Sequence, residues 1–167
     1  FQQKANECHS LLFDSATYFK CMHYENKIDQ GIFQFDFIHH HSSAIFPEQM
    51  HFETDLPGMY QRENIATVLT TMEALSHKGF PIPYKQIQQG IEHAKKNTGL
   101  HGRWECICKE PIIIADVAHN VDGAQQLLDQ LVFIDFDHLH IITGMVKDKD
   151  VDAVLAIFPK DATYYFT

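Results

Sequence analysis

The short apolar run Ile112–Ala115 and the polar residues directly after it constrain the fold of this chain more than any other segment. The run is β-branched and does not alternate with polar residues, which is typical of a parallel strand buried on both faces. Asp116, His119 and Asn120 follow where such a strand ends. In open α/β sheets, ligands bind beyond the carboxyl ends of the strands. The segment therefore predicts a buried strand that opens onto a binding site.

Strand and helix patterns alternate from this run to the last residue. A helical stripe of apolar residues follows the first strand, and residues 139–142 and 162–166 are two further strand candidates with a second helical stripe between them. Alternation of this kind predicts right-handed βαβ units in a parallel sheet. Because three strands make a small sheet, we expect the chain to be a fragment of a longer protein.

The first hundred residues have a different organisation, with strands first and helices afterwards. Phe33, Phe35 and Phe37 alternate with polar residues, which is the period-two pattern of a half-buried strand. Further strand candidates lie before and after it, and two helical stripes follow. The basic, turn-rich residues 95–99 are expected to end this part. The sequence thus predicts an α/β protein with two domains, residues 1–98 and residues 99–167.

Composition and charge limit the partners of the chain. The sequence has 13 Lys and Arg against 22 Asp and Glu, a formal net charge of −9, which argues against a general nucleic-acid or anionic-membrane surface. No apolar run is long enough to predict a transmembrane helix. The spacing of the four cysteines favours reduced thiols and hence a cytoplasmic location. We therefore expect no nucleic acid and no membrane as partners.

Several polar residues in the second half are candidates for chemistry, each with a structural alternative. Asp116 is suited to accept hydrogen bonds from ribose hydroxyls, but helix capping explains Asp116 and Asn120 equally well. His119 is either a donor that faces a ligand or a solvated turn residue. The planar guanidinium of Arg103 fits a phosphate or a purine edge, and its alternative is an ion pair between domains.

Other segments carry weaker signals. The glycine turn at Gly58, just before a helix, either presents backbone donors to an anion or is a capped helix start. Residues 147–150 are a charge run, typical of a solvated loop or a cap. Residues 39–41 are three histidines, but neighbours on a strand alternate faces, so no metal ligand is assigned. No GxxxxGK[ST] sequence occurs, so a P-loop is absent from these residues.

In their order and spacing, four of these segments resemble the folylpolyglutamate synthase/dihydrofolate synthase family of Mur-ligase-like ATP-dependent amide ligases. The first is GMYQRENIA at 58–66, where Tyr60 replaces the usual His of the family. The second is GRWE at 102–105. The third is DVAHN at 116–120, followed by Val121 instead of the usual Pro, and the fourth is GMVKDKD at 144–150. Each motif alone is weak, whereas four in order are a specific signal.

The resemblance implies the domain identities and the site residues. Residues 1–98 would be the end of the central ATPase domain, and residues 99–167 the first part of a Rossmann-like C-terminal domain with a truncated parallel sheet. Asn64, Arg103 and Asp116 would bind ATP across the interdomain cleft. His119 would face the same cleft as a candidate catalytic residue. The P-loop and the Mg²⁺ ligands would lie outside these residues, so the fragment is expected to be inactive alone.

The implied reaction is the ATP-driven addition of L-glutamate to dihydropteroate, to folate or to both. The substrate carboxylate would take the γ-phosphoryl group to give an acyl phosphate, and the amine of glutamate would displace phosphate. Such chemistry depends on positioning and on neutralised charge, with ATP and Mg²⁺ as cofactors. Two alternatives stay open, which are a Mur ligase of peptidoglycan synthesis and a non-catalytic nucleotide-binding module.

Overall fold

The structure, a computed structural model, describes residues 1–27, 32–145 and 150–167. It divides into two compact units, Phe1–Leu100 and His101–Thr167. Helices and strands are mixed in both units, so the predicted α/β class is confirmed. In chain order the elements are α1 (Gln2–Glu7), α2 (Ser15–Tyr18), β1 (Phe19–Lys27), β2 (Ile32–His39), β3 (Gln49–Thr54), α3 (Gln61–His77), α4 (Tyr84–Glu92), α5 (Ala94–Thr98), β4 (Glu105–Lys109), β5 (Ile112–Ala115), α6 (Val121–Leu131), β6 (His140–Thr143), α7 (Val151–Ile157) and β7 (Thr163–Phe166).

The first unit is built on a three-stranded antiparallel sheet in the order β1-β2-β3. Its central strand β2 alternates buried and half-buried residues along its whole length. Phe33, Phe35 and Phe37 are the buried set, each 1% exposed, which confirms the period-two prediction. The sequence predicts a turn at residues 25–31, but residues 25–27 belong to β1, and residues 28–31 lie outside the described residues.

Helices α3 and α4 cover one face of this sheet. The first helical stripe that the sequence predicts consists of Ile65, Leu69, Met72 and Leu75. In α3, Ile65 and Leu69 are buried, Leu69 fully, whereas Met72 and Leu75 are half-buried. From α4, Ile87 is buried, and the ring of Tyr84 meets the edge of Phe52 at 5.9 Å between centroids. Aromatic pairs of this geometry stabilise a core beyond the area they bury. The first unit thus has a dense, mainly aromatic core.

One predicted turn of the first unit is instead a helix. The sequence predicts a turn-rich segment at 95–99, whereas α5 occupies Ala94–Thr98. The carboxylate of Asp55 accepts hydrogen bonds from the backbone N–H groups of Lys95 at 2.7 Å and Lys96 at 2.9 Å. These acceptors satisfy the donors that a helix start leaves open. Because Asp55 lies 40 residues earlier in the chain, the local sequence of 95–99 does not reveal it.

The second unit contains two strand pairs of opposite kind. Strands β6 and β7 pair in parallel, as the βα alternation predicts. Strand β5 has the predicted bounds, but it pairs antiparallel with β4 and does not join β6. It is also not buried on both faces, because Ile112 is 57% exposed and Ile113 is 43% exposed. An apolar run identifies a strand, whereas its partner depends on residues distant in sequence.

Helices α6 and α7 of the second unit lie at their predicted positions, after β5 and after β6. Each is short and begins with a side-chain cap. Asn120 caps α6 by accepting from the N–H of Gly123 at 2.7 Å, and Asp150 caps α7 by accepting from Ala153 at 3.1 Å. The capping alternative for Asn120 is therefore the one that the structure shows. None of the helices in the described ranges has the length and apolar character needed to cross a bilayer.

Candidate functional site

Arg103 lies between two residues with unusual backbone conformations. Gly102 has φ +70° and Trp104 has φ +49°, both in the left-handed region that L-residues rarely adopt. A Cβ at Gly102 would approach the Val117 side chain to 2.6 Å, so glycine is required there for space as well as for conformation. Left-handed backbone at a residue other than glycine costs about 1 kcal/mol or more and persists only where the surroundings hold it.

Asp116 is one of the groups that hold this loop. Its Oδ2 atom accepts a hydrogen bond from the backbone N–H of Trp104 at 2.8 Å. Its Oδ1 atom accepts from the N–H of Ala118, also at 2.8 Å, which fixes the turn after β5. Since a carboxylate offers about four acceptor positions, this structural role is compatible with a ligand role. The sequence anticipates Asp116 as a ligand or a cap, but not as the link between these two segments.

Three further contacts fix the same loop. The N–H of Val117 donates to the carbonyl of Gly102 at 3.0 Å. The Oε2 atom of Glu105 accepts from the N–H of Gly102 at 2.9 Å. The indole of Trp104 is buried, with 4% of its surface exposed. Glu105 is a residue to which the sequence analysis assigns no role, although its spacing of three from Gly102 is the signal that could have identified it.

The guanidinium of Arg103 is half-exposed, and its one hydrogen bond in the described part of this unit is from Nη1 to the carbonyl of Gly102 at 3.3 Å. No carboxylate in that part forms an ion pair with it. A guanidinium presents five N–H donors in a planar fork that matches phosphate oxygens. Arg103 is therefore a cation on a constrained backbone, with one hydrogen bond from its guanidinium in the described part of this unit. This arrangement suits an anionic ligand.

His119 directly follows the Asp116–Ala118 turn and is exposed. Its Nδ1 lies 3.1 Å from the carbonyl oxygen of Val117. Because a carbonyl only accepts, Nδ1 carries the hydrogen, and Nε2 is then an acceptor in the neutral ring. Thus Arg103, Asp116 and His119 belong to one local arrangement of the second unit. It joins the loop before β4 to the loop after β5.

Asn64 lies in the first unit, in the first turn of α3. Its side chain is tied to the buried Gln61, because Asn64 Nδ2 donates to Gln61 Oε1 at 3.0 Å. Gln61 also donates from Nε2 to the carbonyl of Pro57 at 3.4 Å. With its amide nitrogen engaged in this way, Asn64 presents its Oδ1 acceptor from an exposed residue. Gln61, like Glu105, is a supporting residue to which the sequence analysis assigns no role.

The glycine turn before α3 also has a clear steric reason. Gly58 has φ +113°, and a Cβ there would approach the ring of Tyr60 to 2.7 Å. Tyr60, which stands where the resembling family has His, is the residue before the first turn of α3 and makes no side-chain cap. The turn is therefore built around the aromatic ring. Its shape gives Tyr60 a structural use that does not depend on a ligand.

The charge run at 147–150 and the histidines at 39–41 are two further segments that the sequence analysis considers. Residues 147–149 of the charge run lie outside the described residues, and Asp150 is the cap of α7. Among the histidines at 39–41, His39 is buried and stacks on Phe19 with ring centroids 4.6 Å apart. The described residues contain no group of three or more His, Cys, Asp or Glu side chains arranged to hold a metal ion. The four cysteines are free thiols.

Comparison with known proteins identifies relatives of both units. Residues 102–167 match the family profile described as Mur ligase, glutamate ligase domain. The dihydrofolate synthase/folylpolyglutamate synthase of Buchnera aphidicola subsp. Schizaphis graminum is 28% identical over 103 residues, which is 61% of this chain and 24% of that protein. The folylpolyglutamate synthase of Lacticaseibacillus casei is 30% identical over 103 residues, 61% of this chain and 23% of that protein. The alignments therefore span about a quarter of these relatives.

Solved structures extend the likeness to almost the whole chain. A structure of an FPGS-AMPPCP-folate complex superposes with a TM-score of 0.76 at 23% identity, covering 99% of this chain and 38% of that one. At this identity the likeness shows the fold alone. The fold of this chain thus matches part of a larger protein of known structure.

Proposed function

We propose, from the premise that residues 102–167 belong to the Mur ligase family of glutamate ligase domains, that this chain is part of an ATP-dependent ligase that adds L-glutamate to dihydropteroate, to folate or to both. The curated relatives carry the names of folylpolyglutamate and dihydrofolate synthases. The observation that carries the proposal is Arg103, a guanidinium without an ion pair in the described part of its unit, held on a rigid backbone turn.

In this proposal each site residue has a role that follows from its chemistry. The Arg103 guanidinium binds phosphate oxygens of ATP, and its positive charge stabilises the transferring phosphoryl group. Asp116 accepts from a ribose hydroxyl while it holds the loop. Asn64 contacts the nucleotide through the amide acceptor that Gln61 orients. His119 is the proposed catalytic residue, with Nε2 as the atom that takes or shares a proton of a reacting group.

The proposed reaction has two steps. The carboxylate oxygen of the pterin-linked substrate attacks the γ-phosphorus, so an acyl phosphate forms and ADP leaves. The amine nitrogen of glutamate then attacks the acyl carbon, the bond from that carbon to the phosphate oxygen breaks, and phosphate leaves with the amide formed. Mg²⁺ is proposed as the partner of ATP because it neutralises phosphate charge. We place its ligands outside these 167 residues, and the enzyme in the cytoplasm, where free thiols persist.

Nucleotide binding by the full chain tests the proposal. Isothermal titration with ATP is expected to show binding by the unsubstituted chain and weaker binding by Arg103→Ala. A hydrogen bond to a charged group is worth about 1.5–3 kcal/mol, so the dissociation constant should rise about tenfold or more. The matched control is Lys160→Ala, which removes an exposed cation from the same unit. No binding, or an equal loss in both variants, would contradict the proposal.

The identity of the acceptor substrate distinguishes a folate-glutamate ligase from the main alternative, a Mur ligase. A Mur ligase of peptidoglycan synthesis has the same domain family and would bind UDP-linked muropeptides. Titration of the full chain with dihydropteroate, folate and a UDP-muropeptide in the presence of ADP distinguishes the two. Binding of the muropeptide alone would overturn the folate assignment. Binding of nucleotide with no acceptor, and no ADP release by a longer form that carries a P-loop, would favour a non-catalytic module.

A further inference from the structure

The two residues that flank Arg103 are each held by a carboxylate. The backbone N–H of Gly102 donates to Glu105 at 2.9 Å, and the backbone N–H of Trp104 donates to Asp116 at 2.8 Å. Hydrogen bonds from backbone N–H groups to carboxylates are charge-assisted and stronger than neutral ones. The Trp104 bond holds the peptide after Arg103, and the Gly102 bond holds the peptide before Gly102, one residue further back. Together with the bond from the Val117 N–H to the Gly102 carbonyl, they restrain the backbone from which the Arg103 side chain leaves.

Glu105 is well placed to act on this backbone. Its side chain is largely buried, with 15% of its surface exposed. Besides Gly102, it contacts the Nδ1 atom of His101 at 2.9 and 3.1 Å through its two oxygens. Its carboxylate therefore acts on the loop backbone as a hydrogen-bond acceptor.

The conformation of Gly102 shows why the hydrogen bond from its N–H to Glu105 matters for the loop. A φ of +70° is one of several that glycine adopts readily, so the loop is not fixed by the residue itself. The left-handed Trp104 adds strain that has to be offset by its surroundings. If Glu105 released the Gly102 N–H, the peptide before Gly102 would lose this restraint, and only the bond from the Val117 N–H would act on the Gly102 carbonyl. The guanidinium would then sample more directions, and binding an anion would cost more conformational entropy.

We propose that Glu105 is a positioning residue, which holds the Gly102 peptide so that Arg103 points at the phosphates of a bound nucleotide. This inference rests on the proposed function, in which Arg103 is a nucleotide ligand. It also accounts for the Glu in the Gly-Arg-x-Glu motif: a side chain three residues after the glycine reaches back to its N–H. Glu105 does not itself contact the nucleotide.

Three variants of the full chain test the role. Glu105→Ala removes the acceptor and is expected to raise the dissociation constant for ATP about tenfold. Glu105→Gln keeps an acceptor oxygen and should stay within about threefold of the unsubstituted chain. Glu105→Asp keeps the charge but is one methylene shorter, so it should bind as weakly as the alanine variant. This third variant keeps the test decisive if Glu105→Ala does not fold, which circular dichroism reports.

Two controls separate positioning from a general effect on stability. In the Arg103→Ala background, Glu105→Ala is expected to cause no further loss of ATP affinity, because it acts through Arg103. His101→Ala removes a different contact of Glu105 and should leave the affinity unchanged. Equal losses from Glu105→Ala with and without Arg103, or affinity in Glu105→Ala equal to that of the unsubstituted chain, would overturn the proposal.

A measurement that needs no nucleotide tests whether Glu105 holds the loop, separately from whether the chain binds ATP. Hydrogen exchange of the Gly102 amide should be slow in the unsubstituted chain and in Glu105→Gln, and at least about tenfold faster in Glu105→Ala. If the unsubstituted chain binds no ATP, the proposed function fails, and with it the role of Glu105 toward a nucleotide. The exchange rate then still tests whether Glu105 holds the loop backbone. An unchanged rate in Glu105→Ala would show that it does not.

Discussion

The two units stabilise their folds by different means. In the first, the inner face of an antiparallel sheet and the facing sides of α3 and α4 bury a cluster of phenylalanines. In the second, the buried hydrophobic side chains in the described ranges are Trp104, Ala124 and Val154, while Ile142 is 73% exposed. Side-chain to backbone hydrogen bonds are prominent there instead, at the caps of α6 and α7 and around Arg103.

The difference explains where the candidate ligand residues can lie. A packed aromatic core is rigid but has few polar groups to offer a ligand. A loop held by carboxylates and backbone N–H groups is also well defined, and it keeps charged side chains at the surface. In the second unit, therefore, the groups that hold the loop and the groups proposed to bind ATP are neighbours. In the first unit the one proposed ligand, Asn64, lies at a helix start at the edge of the core.

The largest expected effect on the free energy of unfolding comes from a substitution in the core of the first unit. Phe52→Ala deletes a 1%-exposed ring that contacts Phe37 and Tyr84, and it should lower the free energy of unfolding by about 3–5 kcal/mol. Ile142→Ala in the second unit, which removes a mostly exposed side chain, should change it by about 0.5 kcal/mol or less. Urea denaturation followed by circular dichroism measures both. Equal effects would show that the comparison of the two cores is wrong.

A smaller effect is expected from the hydrogen-bonded second unit. Asn120→Ala removes the acceptor for the Gly123 N–H and should cost about 1 kcal/mol of stability. The control is Asn120→Asp, which keeps an acceptor at the same atom and adds a charge that a helix N-terminus favours. The fluorescence of Trp104, the only tryptophan in the sequence, follows unfolding of this unit. If Asn120→Ala unfolds at the same denaturant concentration as the unsubstituted chain, packing and not the cap stabilises α6.

The smallest expected effect is a dependence on pH in the first unit. Burial lowers the pKa of His39, with Glu73 raising it in part and His41 and His40 lowering it further. The Nε2 atom of His39 is buried without a hydrogen-bond partner in the described residues. Below about pH 6.5, the pKa of an unperturbed histidine, the unfolded chain takes up a proton that the folded unit resists. Stability should therefore fall as pH drops from this value toward the lowered pKa.

His39→Phe tests this prediction, because a phenyl ring can stack on Phe19 as the imidazole does and cannot be protonated. Urea midpoints measured at pH 7.5 and pH 5.5 should differ less in the variant than in the unsubstituted chain. At pH 5.5 the variant should be the more stable of the two proteins. An unchanged difference between the two pH values would assign the pH dependence to other histidines.

The local patterns of the sequence determined most of the longer helices and strands, but not the short helices α1, α2 and α5. The alternation of Phe33, Phe35 and Phe37 predicted a buried strand face, and the apolar stripe from Ile65 predicted α3. Residues 112–115 were predicted as a strand with the bounds of β5, and the polar residues after it predicted a site, which stays a prediction. The ordered motifs predicted the ligase family. These features depend on residues that are close together in the sequence. The spacing of apolar residues therefore reveals them directly.

The tertiary structure alone decided which distant groups meet. It paired β5 with β4 and not with β6, made α5 a helix through Asp55, and directed Asp116 to the N–H of Trp104. Each of these contacts satisfies a backbone donor or a strand edge with a partner elsewhere in the chain. Their free energy depends on long-range geometry, which composition and periodicity do not contain. The sequence therefore specified the residue types of the site, and the fold specified which of them hold the backbone.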